Sequence, residues 1–313
     1  MASIADARAF CLRYHPGFLD WLERERAWVD ARARPKQDAE PLMDILLICY
    51  ARMALRNGSQ SPSPLHYHNE NHILELLLRL GRVIRAEPEW VDCWYPLAVF
   101  AAAHDLRQRE PLQPGRQRGC GENEEASRDE LLRLIEARYP ALSSETIDCL
   151  AWSIEGSTFY LALRPGHCQG AWAAELVIQQ KRMTAKQRQF VLLAADLDTA
   201  NVAENFALLL RASLALARER LLLKPAESER AALEFMRHFL ETVQWHYMKD
   251  CQRFHSQTGR RVFLAEKKRN LSLMQAFTAR LRAQPRFECL EQLESWYLQQ
   301  AESLSRREPE ARR

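Results

Sequence analysis

Apolar side chains recur along this chain with helical spacing, and the alternating apolar–polar runs that build half-buried strands are almost absent. Ile73, Leu76 or Leu77, Leu80 and Ile84 mark one stripe, with Glu75, Arg79, Arg82 and Arg85 opposite or flanking it. The same period runs through 41–55, 130–138, 186–197, 203–222 and 229–255. These segments predict an all-α protein of roughly ten to thirteen helices. Gly, Pro and Ser cluster at 57–64, 107–121, 163–170 and 224–226, which read as loops. The stretch 107–121 is long for a compact domain, so it reads equally as a surface excursion or as a segment near substrate.

The chain has 313 residues, 47% of them hydrophobic, and a formal net charge of +3. That length can bury one large core or divide into two modest ones. The expected organisation is an N-terminal helical extension over 1–35, a compact helical domain over 36–300 and a charged tail over 301–313. Basic and acidic residues are interleaved, with no arm or stripe that argues for nucleic acid. The most apolar stretch, 94–103, is about half the roughly 20 residues that a membrane-crossing helix needs. Asp6, Arg8 and Arg13 interrupt the segment where a signal peptide would be apolar. Eight scattered cysteines without a Cys-x-x-Cys pair read as reduced thiols, and hence the protein as cytoplasmic.

The candidate chemistry sits in a few short words. Tyr67-His68-Asn69-Glu70-Asn71-His72 puts two imidazoles at i and i+4, on one face if that stretch is helical. His72 shares its row with Leu76 and Leu80, so it points inward; a lone inward histidine is more often a hydrogen-bonded core residue than a ligand. His104 lies four after Phe100 and seven after Leu97, and with Asp105 it closes an apolar run. A third run, Phe190 to Ala195, drives into Asp196 and Asp198. A buried carboxylate there needs a cation, an arginine or a capping role. Asp196 is read as the ligand and Asp198 as the cap of a helix starting near Thr199. His72, His104, Asp105 and Asp196 then form a mixed nitrogen–oxygen donor set suited to zinc, manganese or iron. His246 and Asp250 read as a surface pair. The glycines at 115, 119 and 121 lack the Lys-Ser/Thr of a nucleotide P-loop, and no Gly-x-Ser-x-Gly word occurs.

The ordered words Tyr67-His68-Asn69 with His72, then His104-Asp105, then Ala195-Asp196 resemble the HD-superfamily metal-dependent phosphohydrolases over residues 65 to about 200. The opening word resembles the branch with the class I cyclic nucleotide phosphodiesterases. Asn123-Glu124-Glu125-Ala126-Ser127 is similar to a word of small bacterial HD phosphohydrolases. The resemblance implies a compact HD/PDEase-like helical domain with the metal site in its core. It implies His72, His104, Asp105 and Asp196 as ligands of one metal, with Asp105 bridging to a second. It makes His68 the general acid and sets Asn123 and Glu124 near the second metal or its waters; acids in a first helical turn also simply suit the helix dipole. Tyr67, Asn69 and Thr158 would line the pocket, and Gln252 with Phe254 would be the purine clamp. The phosphodiesterases' second His after His-Asp is missing; Leu106-Arg107-Gln108-Arg109 stands there instead.

These readings lead to an expected enzyme with two divalent ions (Zn, Mn, Fe or Mg) that hydrolyses a nucleotide phosphodiester of the 3′,5′-cyclic type with a metal-activated hydroxide. A nucleoside phosphate or (p)ppGpp-type phosphohydrolase is the alternative within the same chemistry. A non-catalytic sensor or interaction module on the same fold is the alternative outside it. The expected partner is a small-molecule phosphoester, with no membrane or nucleic acid, and a homodimer is left open.

Overall fold

The computed structural model describes residues 3–35, 37–109, 121–158, 172–284 and 287–307. The described residues are helical with no strand among them, as the periodicity predicts. No helix among them is long and apolar enough to cross a membrane. The chain divides into two units.

The first unit holds α1 (Ile4–Tyr14), α2 (Pro16–Asp30), α3 (Ala39–Arg56), α4 (Glu70–Ala86), α5 (Trp94–Ala103), α6 (Glu122–Arg138), α7 (Ser144–Gly156), α8 (Trp172–Gln180) and all but the last residue of α9 (Ala185–Thr199). Every residue of α5 is buried, as a helix apolar on all sides requires. It packs against α3, α4 and α7. The α4 stripe behaves as expected: Ile73, Leu76, Leu77, Leu80, Val83 and Ile84 are all fully buried. Each such side chain contributes about 1.5–3 kcal/mol relative to exposure. Arg79, expected on the polar side, is also fully buried. Helix α9 starts at a reciprocal cap, with Thr184 Oγ1 accepting from the Gln187 N–H and Gln187 Oε1 from the Thr184 N–H. Val191 and Ala195 then pack with Ala174, Val177 and Met183. Gly121 precedes α6 at φ 119°, a left-handed conformation that favours glycine.

The second unit contains α10 (Phe206–Leu223), α11 (Glu229–His238), α12 (Gln244–His246), most of α13 (Gln257–Ala283) and α14 (Leu290–Arg307). Two π-helical turns, Phe239–Val243 and Tyr247–Cys251, interrupt the run expected as one helix over 229–255. Helix α14 packs on α10 and α11. Arg218 donates to both oxygens of Glu294, at 2.7 and 2.5 Å. Asn270 Nδ2 ties α13 to the Val202 and Glu204 carbonyls at 2.9 and 2.7 Å. Cys11, Cys49, Cys93, Cys149 and Cys289 are free thiols, but Cys251 is disulfide-bonded. The expectation that all the cysteines are reduced therefore fails, and the compartment inferred from it loses its basis.

Candidate metal centre

Three helix ends of the first unit converge on one cluster. Asn69 caps α4, accepting from the Asn71 N–H at 2.9 Å and donating its Nδ2 to the Leu65 carbonyl at 2.9 Å. This cap sets His72 in the first turn of α4. His104 ends α5, its N–H bonded to the Phe100 carbonyl, and Asp105 follows directly. Asp198 is the penultimate residue of α9. The ligand-type atoms of His72, His104 and Asp198 lie within 4.8 Å of one another, so these three could hold a metal ion.

His72 Nε2 is 3.3 Å from Asp198 Oδ1 and 3.6 Å from Asp105 Oδ2. His104 Nε2 is 3.4 Å from Asp198 Oδ1 and 2.9 Å from Asp105 Oδ2. Both imidazoles are almost completely buried, and His72 Nε2 and His104 Nε2 have no hydrogen-bond partner. Nδ1 of His104 lies 3.2 Å from the Ala101 carbonyl oxygen, which can only accept, so Nδ1 carries a proton and Nε2 is the nitrogen turned to the cluster. Nε2 faces two carboxylates, an arrangement that requires positive charge there, either a proton on Nε2 or a cation. Burial opposes charge on His104, yet Asp105 and Asp198 overcome it and hold its pKa well above the ordinary imidazole value. Burial likewise opposes ionisation of Asp105 and Asp198, but the imidazoles hold both carboxyls below the usual range.

Further residues brace the cluster. Arg79 Nη1 donates to the Leu197 and Asp198 carbonyls at 3.1 and 3.2 Å, holding the end of α9 against α4. Its Nη2 donates to Glu75 Oε2 at 3.3 Å, and the same oxygen is 3.8 Å from His72 Nδ1. Burial works against the charge of Glu75, but His72 and Arg79 outweigh it and lower its pKa. Gln108 Nε2 donates to Asp105 Oδ1 at 2.6 Å. Glu124, in the first turn of α6, has its pKa pushed up to about 7 by burial, with Asp105 and Asp198 adding repulsion. It therefore lies within electrostatic reach of the cluster, beside Asn123.

Asp196, expected as the fourth ligand, faces elsewhere, and Asp198 is the acid of α9 that lies in the cluster. Its carboxylate accepts from the His255 N–H at 2.8 Å, from the Ser256 N–H at 2.8 Å and from Ser256 Oγ at 2.6 Å. Burial pushes its pKa up to about 7, against the pull of these bonds. Two residues apart on a helix are about 200° apart around it, so only one of the two acids can reach His104. Nor is Asp198 a cap, because the turn after α9 has no side-chain cap.

His68 is not helical, as α4 begins only at Glu70, but it stays close: its ring is 5.9 Å from that of His72, and its charge helps lower the pKa of Asp105. The Tyr67 ring is 4.7 Å from that of His72. Asn69 spends its amide on the cap rather than offering it to a pocket. Thr158 is buried just after α7. Gln252 and Phe254 belong to the second unit, where Gln252 Nε2 donates to Thr199 Oγ1 at 3.4 Å and Phe254 packs on Phe263. Glu75, Arg79 and Asp198 were the residues missed. The signal for the first two was present: they lie three and seven residues after His72, on its side of the helix.

Comparison with family models, with curated proteins and with solved structures finds no match to this chain.

Proposed function

We propose that this protein is a metal-dependent phosphohydrolase acting on a nucleotide phosphoester at the cluster of His72, His104, Asp105 and Asp198. The observation that carries the reading is the grouping of His104 Nε2, a buried ring nitrogen 2.9 and 3.4 Å from the carboxylates of Asp105 and Asp198, with His72 Nε2 3.3 Å from the same Asp198 oxygen. Imidazole nitrogen and carboxylate oxygen together suit zinc, manganese or iron, and the hydrogen bond at Nδ1 is the support that metal-binding histidines generally have. Divalent cations there would supply Lewis-acid polarisation of the phosphoryl oxygens and an acidified water as nucleophile.

The chain's own residues divide the remaining work. His72, His104 and Asp198 would hold the tighter ion, with Asp105 shared towards a second. Glu124 and Asn123 would serve that second ion or its waters. The electrostatic pressure from Asp105 and Asp198 on Glu124 supports this, because an added cation would relieve it. His68, half-buried beside the cluster, would donate its proton to the departing oxygen. The ordered words around residues 67, 104 and 123 favour the HD type of phosphohydrolase and a phosphodiester of the 3′,5′-cyclic kind.

Metal analysis combined with turnover on 3′,5′-cyclic nucleotides, nucleoside monophosphates and (p)ppGpp tests the proposal. The expected result is bound divalent metal and hydrolysis of one of these classes. A chain that lacks metal and stays inactive with added manganese would instead be a helical sensor or interaction module.

A further inference from the structure

The turn that follows α5 is tied to three helices. Leu106, fully buried, donates its N–H to the Ala103 carbonyl of α5 at 3.3 Å, and its carbonyl accepts from Arg56 Nη1 of α3 at 2.6 Å. Arg56 is itself pinned by Glu130 of α6, to which Nη1 and Nη2 donate at 3.0 and 3.2 Å. The Arg107 N–H donates to Ser127 Oγ at 3.0 Å, and Ser127 is a fully buried residue of α6. The helix that carries Asn123 and Glu124 therefore also fixes the chain just beyond Asp105. A turn anchored in this way brings the half-buried Gln108 back towards the cluster, where its Nε2 donates to Asp105 Oδ1 at 2.6 Å. The amide orientation is dictated by its partner, since an amide oxygen would repel the carboxylate.

The two oxygens of Asp105 are thereby given different work. The χ2 torsion of an aspartate is intrinsically broad, so its partners decide where the carboxylate plane lies. Oδ2 faces the imidazoles, 2.9 Å from His104 Nε2 and 3.6 Å from His72 Nε2. Oδ1 takes the Gln108 amide in a short, charge-assisted hydrogen bond. With Oδ1 anchored, the carboxylate meets an ion at His72, His104 and Asp198 through Oδ2 alone. Each carboxylate oxygen has two lone pairs, so Oδ1 accepts the amide and still keeps one for a cation. We infer that Gln108 is a positioning residue that keeps Asp105 a bridge: it holds Oδ1 back from the first ion and so preserves the seat of the second. Without the amide, the carboxylate is free to rotate and chelate one ion with both oxygens, and the second ion loses its shared ligand. The inference rests on the two-ion centre of the proposed function and not on which phosphoester is cleaved.

Manganese titration of the full-length protein, with free Mn²⁺ counted by electron paramagnetic resonance, tests this in the wild type, Gln108→Met and Gln108→Asn. Methionine keeps the length and lacks the donor; asparagine stays polar but is one methylene too short to reach. The wild type is expected to take up two ions, one more tightly than the other. Both variants should keep the tighter ion and bind the second about 10–100-fold more weakly, the usual cost of losing a group that orients a ligand. A centre that was merely destabilised would lose both ions together. With cobalt(II) in the tighter site, Gln108→Met should absorb more weakly in the visible than the wild type, because a second carboxylate oxygen raises the coordination number. Equal binding of both ions in variants and wild type, loss of the tighter ion, an unchanged cobalt spectrum, or uptake of a single ion by the wild type would each overturn the inference. Two ions in the wild type and a weakened second ion in the variants, without hydrolysis of any of the three phosphoester classes, would support the role of Gln108 and sink the phosphohydrolase reading. A wild type that takes up no metal would overturn both.

Discussion

Arg79 offers a test of how the cluster is held. Its guanidinium is fully buried and makes charge-assisted hydrogen bonds to the Leu197 and Asp198 carbonyls and to Glu75. Arg79→Met keeps much of the length and apolar stem but removes every donor. Hydrogen bonds to charged groups contribute about 1.5–3 kcal/mol each. The Glu75 side chain is 41% exposed, so solvent screening limits its share to under about 1 kcal/mol. The two carbonyls at the end of α9 lose their partner inside the protein, and together they dominate. A destabilisation of roughly 3 kcal/mol follows, at the lower edge of the range for breaking a buried charged interaction. Because the same side chain fixes Asp198 and orients Glu75 near His72, metal affinity should also fall, by about 10–100-fold. Urea denaturation followed by circular dichroism reads the first quantity, and chelator competition reads the second. A stability loss below about 1 kcal/mol, with metal affinity unchanged, would refute the view that Arg79 braces the centre.

Three other changes have defined outcomes. His68→Ala should lower kcat by about 10²–10⁴-fold while metal content stays at the wild-type level; loss of metal instead would make His68 a ligand. Gly259→Ala would drive a methyl group into Asp196 Oδ2 and to 2.9 Å from Ser256 Oγ, and should cost roughly 1–3 kcal/mol in denaturation, less when Asp196→Ala is also present; equal costs in both backgrounds would contradict this contact. Lys267 has its pKa lowered to about 8 by burial, with Arg253 adding repulsion, so its charge penalises the folded state below that pH. As pH rises from about 8 towards the ordinary lysine value of 10.5 the penalty disappears, so the wild type should gain stability relative to Lys267→Met; parallel pH profiles would contradict the burial argument.

The helical class and the central elements are legible in the sequence because burial there follows periodicity. The unbroken apolar run of α5 reads directly as a buried helix that delivers His104 and Asp105 to its end. The α4 stripe likewise turns His72 inward. Periodicity does not say which of two acids faces a partner from a distant segment. Asp196 sits deeper in its apolar run than Asp198, yet it serves the backbone ahead of α13, a contact about 60 residues away in the chain. Arg79 reads as solvent-facing because arginine seldom occupies a core, although seven residues after His72 it falls on the inward side; the carbonyls at the end of α9 supply the partners that its burial needs.

The central claim is that His72, His104 and Asp198 hold a cation, with Asp105 beside them, and elemental analysis of three purified proteins tests it most directly. Wild type and Asp196→Asn should carry stoichiometric divalent metal, and Asp198→Asn should have lost it. Metal retained in Asp198→Asn but lost in Asp196→Asn, or absent from the wild type, would contradict the account.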